Sequence, residues 1–356
     1  MNTVLSTTRV TAATADARQT LREHVLLMIV VGSHMLIAMA ICHLYPEKFK
    51  QGQQLEEFVG ALVMGLVFAL CAYALYVMLF KRPTELLRYL KNGLAEYLSK
   101  ERILFATPVL LMMPLFASSF SIVKAAIPIV HPFSWDARLA AVDQFLHGGI
   151  QPWVWLHYAL GHPVFTAIVN LAYHLWFFIL IATVYWLAFA MEHRKLRMQF
   201  MLSFVLSWGV LGNFLATVFS SVGPCYYGHV VSGANPYADL LQYLHSASHK
   251  IPVLAMYVQD TLWLDYSQGT GSAALSISAM PSMHVASATL LALLGWRLNR
   301  AAGIALTIFA VLIVLGSIHL AWHYAVDGYV GVLGSCLIWF TVGRLPSLRA
   351  EVNHAA

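Results

Sequence analysis

AGIALTIFAVLIVLGSIH (Ala302–His319), LAWHY (Leu320–Tyr324) and AVDGYVGVLGSCLIWFTVG (Ala325–Gly343) stand in succession: two apolar runs joined by a short connection. Each run is about as long as a helix needs to cross a bilayer, ~17–25 residues. Working outward, similar runs lie at Val25–Leu44, Phe58–Phe80, Ile103–Val123, Phe165–Phe189, Phe200–Val222 and Pro281–Leu298. The reading is therefore an all-α, polytopic transmembrane helical bundle of about eight spans.

Composition agrees. The 356 residues are 60% hydrophobic and 10% charged, against about 25% charged in a soluble domain. Of the 21 Lys and Arg, 16 fall in alternate connections if the N-terminus is cytoplasmic: Arg9, Arg18 and Arg22; Lys81 to Arg102; Arg194, Lys195 and Arg197; Arg297 and Arg300; Arg344 and Arg349. The outer segments hold Lys48, Lys50, Lys124, Arg138 and Lys250. By the positive-inside rule both termini are cytoplasmic. The net charge of +5 mostly reflects this bias, and no nucleic-acid partner follows from it. The first apolar run has no small-residue cleavage site after it and reads as a retained span. Cys42, Cys71, Cys225 and Cys336 form no CxxC. Cys42 and Cys225 both fall near the outer face; lone apolar cysteines are the simpler reading than a disulfide.

Five regions follow: a polar, loosely ordered N-terminus (1–23), N-terminal spans (24–123), an outer interfacial segment (124–164), a catalytic membrane domain (165–344) and a cytoplasmic tail (345–356). Pro83–Lys100 carries Leu86, Leu87, Leu90, Leu94, Tyr97 and Leu98 at helical spacing, opposite Arg88, Lys91 and Lys100, which predicts an interfacial helix. Trp135, Leu139, Val142, Phe145 and Leu146 predict another, with Ser134 as its N-cap. Gly223–Met280 reads as a long outer loop. His34 and His174 read as hydrogen-bonded core residues, Tyr226 and Tyr227 as interfacial anchors, and Gly331-x-x-x-Ser335 as a close helix contact.

Charge inside a span is costly and usually functional. Asp327 is the one acidic residue within the eight runs, and His323 stands four residues before it, on the same side of a helix entrance. A carboxylate there can fix the imidazole tautomer and leave the other ring nitrogen as nucleophile or base. A second cluster, Met280-Pro281-Ser282-Met283-His284, opens the sixth run. Pro281 suits a first helical turn, the free N–H groups there form an anion site, and Ser282 adds a hydroxyl. His284 sits where a leaving oxygen is protonated. The charge count places both clusters on the outer side. A capping role for Asp327, and an N-cap plus interfacial role for Ser282 and His284, are the competing readings.

Pro281-Ser282-Met283-His284 followed by His323-x-x-x-Asp327 is similar to the two histidine motifs of the type 2 phosphatidic acid phosphatase superfamily. His319-x-x-x-His323-Tyr324-x-x-Asp327, with Asp143…Gly148 and Pro152-Trp153 upstream, most resembles its inositol phosphorylceramide synthase branch. The resemblance spans roughly Phe165 to Gly343. It implies a six-helix core and a phosphotransferase or phosphatase in which His323 attacks phosphorus to form a phosphohistidine, oriented by Asp327. His284 protonates the leaving oxygen and then activates the acceptor. Ser282, Gly223 and His319 enter the substrate- and phosphate-binding set, although on its own residues His319 reads more simply as a satisfied or solvent-facing histidine. No metal or cofactor is implied.

The family's phosphatases carry a Lys-x6-Arg-Pro motif before these two. Here the counterpart is Gly223-Pro224 with Ala216 seven residues earlier, and Ser317 replaces an Arg six residues before the nucleophile. Loss of three cations points from a dianionic monoester to a phosphodiester lipid. The expected reaction is transfer of a phospho-head group from a phospholipid to a ceramide or diacylglycerol acceptor. Hydrolysis of phosphatidic acid-type or prenyl phosphates is the alternative. A metal enzyme using His319, His323 and Asp327 on one helix, and a transporter, are the remaining readings.

Overall fold

The computed structural model describes residues 2–49, 53–268 and 276–346. In chain order the helices are α1 (Asn2–Leu44), α2 (Gln53–Tyr76), α3 (Leu86–Tyr97), α4 (Lys100–Val130), α5 (Asp136–Leu146), α6 (Pro152–Leu160), α7 (Pro163–Ala188), α8 (Arg194–Ser207), α9 (Ala216–Val218), α10 (Tyr227–Val230), α11 (Ala238–Lys250), α12 (Leu254–Gln268), α13 (Met283–Leu298), α14 (Arg300–His319) and α15 (Ala325–Val342). A π-helical stretch, Trp208–Leu215, joins α8 to α9. No strand occurs among the described residues. The protein is an all-α, multi-pass membrane bundle.

Among the described residues, seven helical segments are long and apolar enough to cross a membrane: Arg22–Leu44, Phe58–Lys81, Lys100–Val130, Pro163–Ala188, Met191–Val218, Arg300–His319 and Ala325–Val342. The expected eighth span is α13, which has 16 residues. At 1.5 Å per residue it is about 24 Å long, less than the ~30 Å hydrocarbon core. It packs against α14, α15, α8 and α7, and Val285–Ala292 are all buried. An apolar helix enclosed on every side belongs at the centre of the bundle. Ser282 caps it by accepting from the Val285 N–H.

Close approach on one side of α13 depends on Gly331 of α15. A Cβ there would lie 2.8 Å from the Ser282 carbonyl oxygen. Ser335, one turn on, is buried, whereas Leu333 and Leu337 on the opposite face are each 70% exposed. This is the small-residue contact expected from Gly331-x-x-x-Ser335, with lipid-facing leucines behind it. The predicted helix after Pro83 is present as α3.

Several expectations are corrected. α1 begins at Asn2, within the stretch read as loose, because extending a formed helix adds one bond per residue without a new nucleus. The third span runs on to Val130, so Lys124 lies inside a helix and not in a connection; the apolar run Ala125–Val130 continues the turn. α5 has Trp135 at its N-cap position with no side-chain cap, so Ser134 is not the cap. The outer segment also holds α6, whose N1 position is Pro152. Within the long segment Gly223–Met280, read as a loop, the described residues include two helices, α11 and α12. Pro281 precedes the Ser282 cap and stands outside the first turn of α13. The cysteines, by contrast, are free, in line with the reading of lone apolar cysteines: Cys42 and Cys225 lie against different apolar clusters. The tail beyond Pro346 falls outside the described residues.

Gly331→Ala should destabilise the bundle by about 1–3 kcal/mol through overpacking. A lowered midpoint for heat-induced loss of the monodisperse peak in detergent would show this; an unchanged midpoint would contradict the α13–α15 contact.

Candidate active site

Three chain segments meet at one end of α13. Ala279 N–H donates to the Ser221 carbonyl at 3.0 Å, Cys225 N–H to Ala321 at 2.9 Å and Ser282 N–H to Asp327 at 3.1 Å. Met280 N–H reaches the Ser221 hydroxyl oxygen at 3.2 Å. Gly223 allows the first of these segments to pass under the third. Its φ is +92°, and a Cβ would stand 2.6 Å from the Trp322 carbonyl oxygen. Its N–H donates to Asp136 at 2.9 Å, so Gly223 serves the shape of the loop and its N–H is already engaged.

His323 is buried where these segments join. Its Nδ1–H donates to the Ala279 carbonyl at 2.9 Å. Asp327 Oδ2 lies 3.4 Å from the same nitrogen and accepts the Tyr324 N–H at 3.0 Å. The tautomer is therefore fixed first by a backbone carbonyl, with the Asp327 carboxylate beside it. The expected capping and orienting roles of Asp327 coexist. With Nδ1 occupied, Nε2 is the ring atom left for chemistry. Burial holds the imidazole down, at about 3, against the upward pull of the Ala279 bond, and Lys124 pushes it down further. His323 is thus neutral at physiological pH, the state that leaves a ring nitrogen lone pair free.

The His284 ring centroid lies 6.1 Å from that of His323. His284 is held between Tyr173, stacked at 4.4 Å, and Trp176 at 4.2 Å. Trp322 lies parallel to Tyr173 at 6.5 Å. Around the two histidines, Tyr173 Oη, Trp176 Nε1, Trp322 Nε1 and Asp327 Oδ1 are buried with no hydrogen-bond partner among the described residues. Buried polar atoms are nearly always paired; unpartnered ones occur elsewhere too, as at Ser203, Ser207 and Ser335, but four gather about this imidazole pair. The N–H groups of Met283 and His284, in the first turn of α13, have no intrahelical partner either. Ser282 is fully buried at that turn.

His319 is directed elsewhere. Its Nε2 is 2.9 Å from the Thr166 hydroxyl, which also bonds Tyr243 at 2.8 Å. His319 ends α14, His323 lies in the connection and Asp327 lies in α15, so the three do not share a helix face. Among the described residues no group of three or more His, Cys, Asp or Glu is gathered for a metal ion. His34 and His174 are hydrogen-bonded as expected: His34 to Ser119 and Asn213, and His174 to the Asn170 carbonyl. Tyr226 is buried and donates to the Gln259 carbonyl, so it is no membrane anchor; Tyr227 is buried as well.

Sequence reasoning missed Asp136 and quoted Asp143, the second acid of α5, only within the family resemblance, with no role. Asp136 accepts from Val222 N–H at 3.1 Å, from Gly223 N–H and from the Tyr324 hydroxyl at 2.8 Å. Asp143 accepts from Ala325 N–H at 2.6 Å and Val326 N–H at 2.9 Å. The pair stands at i and i+7, on one helix face with buried Leu139 and Ala140. That spacing of acids in an apolar interfacial helix was the available signal. Burial pushes both carboxyls up, and the bonds from Tyr324, Gly223 and Val222 to Asp136, and from Val326 and Ala325 to Asp143, pull them back. Together they tie the 222–223 turn and the start of α15 to one helix.

The sequence profile of the PAP2 superfamily matches residues 137–341, more than half of the chain. The protein belongs to the PAP2 superfamily and is an enzyme of its phosphatase and phosphotransferase type, acting on lipid in membranes. Comparison with curated proteins and with solved structures gave no significant match.

Asp143→Ala should leave two buried N–H groups unpaired and cost about 1–3 kcal/mol. Thermal stability and turnover should both fall, and Asp143→Asn, which keeps one acceptor oxygen, should fall between. Equal behaviour of Asp143→Ala and the wild type would remove the clamp from the account.

Proposed function

We propose that the protein transfers a phospho-head group from a phospholipid to a lipid alcohol through a phosphohistidine on His323. The observation that carries this reading is the pair His284 and His323, one with its Nδ1 tied to Ala279, amid unpartnered buried polar atoms. In the first half-reaction His323 Nε2 attacks phosphorus. The phosphorus–oxygen bond to the lipid breaks as His284 gives its proton to the leaving oxygen. In the second half-reaction His284 takes the proton of the acceptor hydroxyl, whose oxygen attacks phosphorus and releases His323. The Asp327 carboxylate beside Nδ1 stabilises the charge that develops on the ring. Ser282 and the N–H groups of Met283 and His284 hold the phosphoryl oxygens.

Transfer is favoured over hydrolysis by the charge of the site. Ala216, Gly223 and Ser317 replace the cations of the family's phosphatases, which suits a phosphodiester of lower charge, as in the inositol phosphorylceramide synthase branch. The acceptor class would be ceramide or diacylglycerol. The end of α13 bearing His284 is opposite the end bearing Arg297, where Lys195 and Arg344 also line a cavity of about 460 Å³. With basic residues inside, the site faces the non-cytoplasmic side.

Purified protein treated with a chelator would be given phosphatidic acid alone, and separately a phosphoinositide-type donor with a ceramide or diacylglycerol acceptor. Head-group transfer in the second assay and no free phosphate in the first is the expected result; the reverse would make it a phosphatase. His323→Ala and Asp327→Ala should lower turnover by several orders of magnitude while the protein still inserts and runs monodisperse. Retained turnover in His323→Ala would overturn the mechanism.

A further inference from the structure

The site as described holds no cation, yet one lies close by on a helix outside the matched family region. Along α4, Phe120, Lys124, Ile127 and His131 follow at i, i+4, i+7 and i+11, a single helical face. That face is turned towards the site. Phe120 packs on Trp208 with ring centroids 4.7 Å apart, and Trp208 lies parallel to Trp176 at 6.4 Å, the residue that flanks His284. A Cβ on Gly212 would lie 2.9 Å from Phe120 and 3.0 Å from the Met283 sulfur, so α4 meets the first turn of α13 directly across Gly212. Ile127 is buried, and His131 Nδ1 reaches the Thr217 carbonyl at 2.6 Å. Lys124 stands between these anchored positions.

Its side chain is half-buried. No hydrogen bond or ion pair engages it among the described residues. Its charge bears on both His284 and His323. A lysine about 9 Å from the end of a membrane helix, six residues at 1.5 Å each, is costly without an anionic counterpart. Asp327, the carboxylate beside His323, forms no ion pair with Lys124 among the described residues.

We propose that Lys124 is the phosphate-binding cation of this enzyme, supplied by α4 to the space between His284 and His323 in place of the cations missing at Ala216, Gly223 and Ser317. The inference rests on the reading of that space as a phosphoester site. A single ammonium balances the single negative charge of a phosphodiester, whereas three cations suit a dianion. Lys, a compact point charge with three donors, can follow the phosphoryl oxygens as phosphorus passes from the lipid to His323 and on to the acceptor.

The test is a titration of the purified full chain in nanodiscs with inorganic phosphate, followed by tryptophan fluorescence, since Trp176 and Trp322 border the site. The wild type should show saturable quenching. Lys124→Met should weaken phosphate binding by about ten- to a hundredfold, the loss expected for one charge-assisted hydrogen bond, and raise KM for the lipid donor. Lys124→Arg should restore binding to within about threefold, since it keeps the charge. His323→Ala should still bind phosphate saturably while losing turnover. Wild-type affinity in Lys124→Met, or no saturable quenching in the wild type, would overturn the proposal. Should Lys124→Met fail to elute as the wild type does, Lys124→Gln, which keeps a polar end without the charge, takes its place under the same criteria. If His323→Ala kept its turnover, the nucleophile assignment would fall, and the phosphate titration would still decide the role of Lys124.

Discussion

The bond from His323 Nδ1 to the Ala279 carbonyl, 2.9 Å long, is the interaction on which the site depends. It selects one tautomer and aims Nε2 away from the backbone. That bond can hold only if Ala279 itself is fixed. Its own N–H is tied to Ser221, and Ser221 adjoins the Val222–Gly223 turn that Asp136 holds. The far side is secured by Asp143 on the Ala325 and Val326 N–H groups, so α15 begins where Asp327 can stand beside the ring. The His323 imidazole is thus placed by backbone geometry and by two carboxylates that never touch it.

Such an arrangement costs stability. Asp136, Asp143 and Asp327 are all buried, and a buried carboxylate is tolerated only when hydrogen bonds replace its water. Asp136 and Asp143 are fully provided for by N–H and O–H donors, and structural permanence is the return. Asp327 keeps one oxygen unpartnered, as do Tyr173, Trp176 and Trp322 nearby. Unpartnered polar atoms also occur elsewhere among the described residues, as at Ser203, Ser207 and Ser335, but about the two histidines four of them gather. The aromatic rings around His284 keep that space low in dielectric, where each charge and dipole acts more strongly.

Much of this was legible in the sequence because the membrane imposes simple rules. The long apolar runs gave the helices, since in lipid every backbone group must be paired within the segment. His284, His323 and Asp327 stood out because polar residues are rare in such runs. The spacing of Gly331 and Ser335 foretold a close helix contact, which Gly331 makes with the start of α13. What was not legible depends on contacts between distant segments. Nothing local marks the Ala279 carbonyl as the partner of His323, and the Asp136 and Asp143 partners lie more than eighty positions away. Lys124 read as a connection residue because hydropathy stops at the first charge, whereas a helix does not. Gly223–Met280 read as a loop because α11 and α12 lie on the bundle without the long apolar stretch of a span.

The central claim is that His323, held by Ala279 and Asp327, takes the phosphoryl group covalently. Rapid acid-free quenching of the enzyme with a phosphorus-labelled phospholipid donor, followed by peptide mapping, measures this directly. The account predicts acid-labile, base-stable label on the peptide containing His323 and none in His323→Ala. Label on another residue, or turnover with no covalent label under conditions where His284→Ala also fails to trap it, would contradict the account.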